Sequence, residues 1–226
     1  MSFDPELLQR YLFQLEMPSF DAYLETISRF LKDETKKLKE EIKSKKRVLD
    51  DEPGEPTYED YLSGLLNDID EFENIWLNSF FVTIYGFLES QLMKRCREFE
   101  QKNKNPKPSL QDWRNENRRL SITEQAIKYL IEVQKVDFSL KKHSIEWKKI
   151  DNYGPLRNCI VHNESRVDEG LNKTQRNKLN EFIRWKDSKL QFYNPYVVLN
   201  KEFCKDSLST IWDFLWAILS VKVQVG

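Results

Sequence analysis

The chain has 226 residues, enough for one ordinary domain with or without helical additions, and its formal net charge of −1 excludes a globally basic, polyanion-seeking protein. Six glycines, eight prolines and 32% charged residues exclude a turn-dense sandwich or barrel, while 14 Phe, nine Tyr and six Trp exclude global disorder. Three widely spaced cysteines without a CxxC pair exclude a disulfide framework and fit a reducing cytosol.

Ser2 or Asp4 is placed to cap a first helix, with Pro5 in its opening turn and Leu7, Leu8, Tyr11, Leu12 and Leu15 at helical spacing. No basic stretch precedes an apolar core here, so no signal peptide is expected and the expected location is cytoplasmic. Met17-Pro18 predicts a break, after which Ser19 or Asp21 starts a second helix with Tyr23, Leu24, Ile27, Phe30 and Leu31 on its stripe. Residues 32–47 (KDETKKLKEEIKSKKR) read as a solvated helix laced with weak ion pairs; the competing reading is a basic arm that touches phosphate. The acidic, Pro- and Gly-containing segment 50–56 is a loop. It sets the expected boundary between an N-terminal helical extension, 1–51, and a main helical domain, 57–226.

Thr57 or Tyr58 opens a long helix to about Gln101, apolar on more than one side between Trp76 and Cys96 and therefore central to a bundle. Glu89 stands out within that run, because a buried carboxylate needs a partner; the alternative is that it faces solvent. Residues 102–119 predict a locally basic loop with a short helix after Ser109, and Ser121 or Thr123 caps the next helix. A further helix from about Ser139 carries Leu140, Ile145, Trp147 and Ile150, and Asn152-Tyr153-Gly154-Pro155 is expected to end it. Asn172 or Thr174 restarts a helix, residues 190–199 predict a small hairpin, and a last helix runs from about Glu202 to Val221. Its apolar stretch, 211–219, is shorter than the roughly 20 residues that span a bilayer and contains Asp213, so no membrane partner is expected. The fold class is all-α: a bundle of long antiparallel helices with one small β-hairpin near the C-terminus.

The chemistry concentrates in Leu156-Arg157-Asn158-Cys159-Ile160-Val161-His162-Asn163-Glu164, expected to form the first two turns of a helix opening near Pro155. Taking about 100° per residue from Arg157, Asn158 falls near 100°, His162 near 140° and Ser165 near 80°. Asn158 and His162 thus share a polar stripe with Ser165 close by, Arg157 lies beside it, and Leu156 and Ile160 point to a core. An imidazole moves protons near neutrality, worth roughly 10²–10⁴-fold. A guanidinium grips phosphate with paired donors and an amide orients either group. The set suits cleavage of RNA by its own 2′-hydroxyl. One helix supplies one histidine, so a homodimer with a composite site is the economical way to provide both acid and base. Two histidines, no CxxC and no HExxH leave no metal site, and no Walker, GxGxxG or GxSxG motif calls for a cofactor.

Arg157-Asn158-x-x-x-His162 resembles the R-x4-6-H signature of HEPN domains, and the preceding long helix NSFFVTIYGFLESQL and the layout from Trp147 to LRNCIVHN are similar too. The resemblance spans roughly residues 58–221. It implies a helical bundle, usually dimeric, that is often a metal-independent endoribonuclease in defence, toxin–antitoxin or RNA-processing systems. Arg157 and His162 would be its catalytic pair with Asn158 in support, and Glu89, Asn163, Glu164 and Ser165 in secondary places. RNA and an antitoxin or other regulatory protein are the implied partners. One toxin subgroup carries a modified tyrosine two residues after the histidine; here that position is Glu164. The competing reading is a non-catalytic helical module binding RNA, nucleotide or a protein, with Arg157 and His162 held in a helix-end network around Glu164 or Glu89.

Overall fold

The computed structural model describes residues 5–45, 58–103, 107–136 and 144–219. Two long helices come first, α1 (Pro5–Lys45) and α2 (Tyr58–Lys102). The short helices α3 (Leu110–Glu116) and α4 (Ile122–Lys128) follow, α4 running into one π-helical turn, Tyr129–Val133. Then come α5 (Ile145–Asn163), α6 (Lys173–Arg184), a 3-10 turn, the antiparallel pair β1 (Gln191–Tyr193) and β2 (Tyr196–Val198), and α7 (Lys201–Leu219). The protein is an all-α bundle with a single small hairpin among the described residues, as the sequence predicts.

Helix α2 is the axis, with α1, α4, α5 and α7 packed against it. Leu77, Phe80, Phe81, Ile84, Tyr85, Leu88, Leu92 and Cys96 are all buried, which fulfils the many-sided apolar pattern of that run. The rings of Phe81, Tyr153 and Phe203 meet where α2, α5 and α7 converge, Phe81 lying 5.5 Å from Tyr153 and 5.4 Å from Phe203 between centroids. Ser109, Ser121, Ser144 and Asn172 cap α3, α4, α5 and α6, and the capping boxes Ser121/Glu124 and Asn172/Gln175 fix two of these starts.

Two expected breaks are corrected. Met17-Pro18 does not end a helix: α1 is continuous through Pro18. An interior proline costs about 3 kcal/mol. The helix offsets this by burying Met17, Leu24 and Leu31 in the common core, each worth roughly 1.5–3 kcal/mol. Gly154-Pro155 does not end a helix either, and α5 runs from Ile145 through both residues to Asn163. Gly154 is there for close approach, since a Cβ at this position would lie 3.2 Å from the Tyr85 hydroxyl. Burial of Ile150, Tyr153, Leu156 and Cys159 on either side holds the turn helical. Both errors have one physical origin: local breaker chemistry is weaker than several buried side chains.

The charged half of α1 carries exposed pairs such as Lys36–Glu40 at 3.8 Å and Lys37–Glu34, as a solvated helix should. The boundary loop at 50–56, the N-terminal cap at Ser2 or Asp4, His143 and the end of the last helix beyond Leu219 lie outside the described residues. No helix among the described residues is long and apolar enough to cross a membrane.

Candidate functional site

Because α5 is unbroken, Arg157 to His162 occupies its last two turns and not the first two of a new helix. That changes the electrostatics. The exposed carbonyls of a helix C-terminus carry partial negative charge, so an anion here must be held by side chains and not by free backbone N–H groups.

The side chains form a compact set. Arg157 Nη1 donates to Asn158 Oδ1 at 3.2 Å and contacts His162 Nε2 at 3.3 Å. The guanidinium therefore bridges the two residues that the helical projection stacks together. A guanidinium has no acceptor, so in a hydrogen bond between the two Arg157 donates and Nε2 accepts. His162 is exposed, Arg157 and Asn158 are half-buried, and Leu156 is fully buried behind them. Ile160 packs on the core from the same helix.

Helix α2 supplies the floor. Tyr85 is buried, and its hydroxyl lies 3.0 Å from Thr123 Oγ1. Burial pushes its pKa up to about 12, so it stays protonated. One turn on, Glu89 is half-buried. Desolvation raises its pKa above the ordinary carboxylate value, and the Arg157 charge draws it partly back down. The charge of Arg157 on α5 is thus felt by Glu89 on α2.

The three residues after His162 part company. Asn163 turns inward, buried, and donates through Nδ2 to the Glu169 carbonyl at 2.7 Å. Glu164 is the helix cap, in the left-handed region with φ 50°, and its side chain is exposed. Ser165 also has positive φ, 67°, and lies beyond the helix, so its expected place on the polar stripe is corrected. It is buried, and Asn78 Nδ2 donates to its Oγ at 3.4 Å. Extrapolating 100° per residue fails here because the helix has already ended at Asn163.

The segment after α5 is tied to the hairpin. Val197 N donates to the Ser165 carbonyl at 2.9 Å and Val167 N to the Pro195 carbonyl at 3.0 Å, while Arg166 bridges to Tyr196. Gly170, at φ +63°, closes the loop against Asn163: a Cβ there would lie 1.9 Å from Asn163 Oδ1. Sequence reasoning missed this clamp, whose only visible signal was a lone glycine. It also missed Tyr85, although Tyr85 and Glu89 are four apart and so share a face of α2.

Two side chains of the locally basic segment are used within the fold. In the 107–119 segment the Trp113 indole donates to the Gln125 carbonyl at 3.1 Å and its ring lies 6.2 Å from that of Tyr129. Arg114 Nε donates to Gln125 Oε1 at 3.4 Å. An apolar groove between α1 and α2, lined by Phe20, Tyr23, Phe80 and Phe87, is separate from the site. Phe87 and Glu89 are about 200° apart around α2 at helical pitch. Among the described residues no three His, Cys, Asp or Glu side chains gather as metal ligands.

No protein-family model, curated protein or solved structure matches this chain.

Proposed function

We propose that the protein is an endoribonuclease of the HEPN type, cutting RNA without a metal by attack of the 2′-hydroxyl on the adjacent phosphorus. The observation that carries this reading is the contact of Arg157 Nη1 with both Asn158 Oδ1 and His162 Nε2 at the exposed end of α5. A guanidinium and an imidazole so placed offer a phosphate grip and a proton acceptor a few ångströms apart.

The residues act in a definite order. The scissile phosphate draws Arg157 away from the ring by offering paired, charge-assisted acceptors in place of a neutral nitrogen. Nε2 of His162 is then free to take the 2′-hydroxyl proton as that oxygen bonds to phosphorus. The 5′-oxygen leaves with a proton from a second group, giving a 2′,3′-cyclic phosphate and a 5′-hydroxyl end. Arg157 balances charge on the crowded phosphorus, and Asn158 holds the guanidinium in place. The second proton group is the same histidine of another copy, which makes the enzyme a homodimer with a composite site. Glu89 is the in-chain alternative, favoured by its raised proton affinity beside Arg157. A cytoplasmic setting in defence, toxin–antitoxin control or RNA processing, with an antitoxin or other regulatory protein as partner, completes the proposal.

The second reading, a non-catalytic helical module for RNA, nucleotide or a protein, draws on the same contact: Arg157 and His162 satisfy each other without substrate. Incubating single-stranded RNA with purified protein in EDTA separates the two. Cleavage to cyclic-phosphate ends, lost in Arg157→Ala and His162→Ala, supports the enzyme. Intact RNA that remains bound by both variants supports the module.

A further inference from the structure

Helix α2 carries an exposed line that none of the described residues covers. Taking about 100° per residue from Tyr61, the residues Phe72, Ile75, Ser79, Thr83, Gly86 and Ser90 all fall within about 40° of it, and each is exposed. The line has two unlike halves. Before Ser79 it is bulky, with Phe72 52% and Ile75 59% exposed. Helix α1 runs antiparallel alongside, Phe20 meeting Phe87 and Tyr23 meeting Trp76 at 5.4 and 6.1 Å between ring centroids. Phe30, two turns beyond Tyr23 and 57% exposed, therefore stands level with Phe72 and widens the ridge.

Past Ser79 the line is hollow. Thr83, Gly86 and Ser90 are small, and beside them Phe20, Phe80 and Phe87 line the apolar groove of about 730 Å³. An interior glycine weakens a helix. A Cβ on Gly86 would nevertheless meet nothing within 4 Å, so no contact within the chain calls for a glycine there.

Bulk and hollow lie equally far from Ser79. Phe72 is seven residues before it and Gly86 seven after, about 10 Å each way, while Ile75 and Thr83 are four before and four after. A two-fold axis at Ser79 that sets α2 antiparallel to a second α2 places Phe72 over Gly86 and Ile75 over Thr83, and carries Phe30 towards the groove. The same operation sets Tyr61 opposite exposed Arg97 and Asp68 opposite Ser90, so no like charges meet along the line. Tyr23, Phe30, Tyr61, Phe72 and Ile75, each at least half exposed, together present about 500 Å². A standard interface takes roughly 800 Å² per partner, and the hollow half with its groove supplies the remainder.

We infer that the face is covered by a second copy of this chain: α2 packs antiparallel on its partner's α2 about a two-fold axis at Ser79, ridge into groove. The face carries its own complement, which is what an isologous interface requires. The inference does not rest on the ribonuclease reading, since Arg157 and His162 lie on α5 and Glu89 falls about 80° away from the line.

The test is the oligomeric state of the full chain by sedimentation velocity across a concentration series, with cross-linking to fix the register. The wild type forms a dimer, and Phe72→Glu or Gly86→Leu raises its dissociation constant at least tenfold. Gly86→Leu leaves the melting temperature of the monomer unchanged or higher, because the position is empty within one chain and leucine favours helix. Phe192→Glu, at an exposed apolar residue off this face, leaves the dimer intact. The native thiols are buried, so Ser79→Cys reports on the axis alone: under mild oxidation it cross-links to its own copy at least tenfold faster than Ser90→Cys. A strict monomer at high micromolar concentration, which would leave the face to a different protein, overturns the pairing. So does a dimer unchanged by both Phe72→Glu and Gly86→Leu, or one in which Ser79→Cys cross-links no faster than Ser90→Cys.

Discussion

At the scale of single residues, the site turns on how one guanidinium divides its donors. Arg157 reaches Asn158, His162 and the field of Glu89 from one position on α5. The Asn158–His162 stripe was legible because an i, i+4 spacing survives any helix start, and Leu156 is buried as the projection requires. Glu89 was legible as a carboxylate out of place in an apolar run. The bridging by Arg157 was not, because a long side chain's endpoint is set by tertiary surroundings and not by its helical angle. Glu89 gives a test of these electrostatics. Its folded pKa lies above the unfolded value, so its stabilising effect is full below the unfolded pKa, about 4.3, and is lost as pH rises through the folded pKa. Glu89→Gln should therefore raise the melting temperature at pH 7–8, with the gain shrinking towards zero near pH 4. A gain that is constant across pH would show that burial of the charge is not its source.

At the scale of elements, the end of α5 depends on the loop that follows it. Asn163 faces inward, the Glu169 carbonyl accepts from its Nδ2, and Gly170 allows the backbone to pass at positive φ. Gly170→Ala forces a left-handed alanine and a Cβ into the Asn163 amide, so we expect a loss of about 1–3 kcal/mol in urea unfolding. Unchanged stability would mean that the loop does not clamp the helix. The same element shows why sequence reasoning misplaced helix boundaries. Gly154 and Pro155 carry breaker chemistry, yet Tyr153 and Leu156 beside them are fully buried, and packing decides. Capping is different: Ser109, Ser121 and Asn172 were readable as starts because each satisfies its own helix's N–H groups with local atoms.

At the scale of the whole molecule, the bundle buries all three thiols. Cys96, Cys159 and Cys204 are buried free thiols, and burial pushes each pKa up to about 12. Thiol-reactive probes should label none of the three in the folded protein at pH 8 and all three in denaturant. Rapid native labelling of any of them would contradict the packing around α2. The all-α architecture followed from composition and period, whereas α1's docking on α2 and α7 did not, because no local pattern encodes which helix a stripe meets. The central claim is that this scaffold presents Arg157 and His162 as a ribonuclease pair. The most direct measurement is the cleavage rate of single-stranded RNA in EDTA by wild type, Arg157→Ala and His162→Ala. The account predicts cyclic-phosphate products from wild type and a fall of roughly 10²-fold or more in each variant, with His162→Ala changing stability by no more than about 0.5 kcal/mol. Uncut RNA with the wild type, or equal rates in all three proteins, would contradict it.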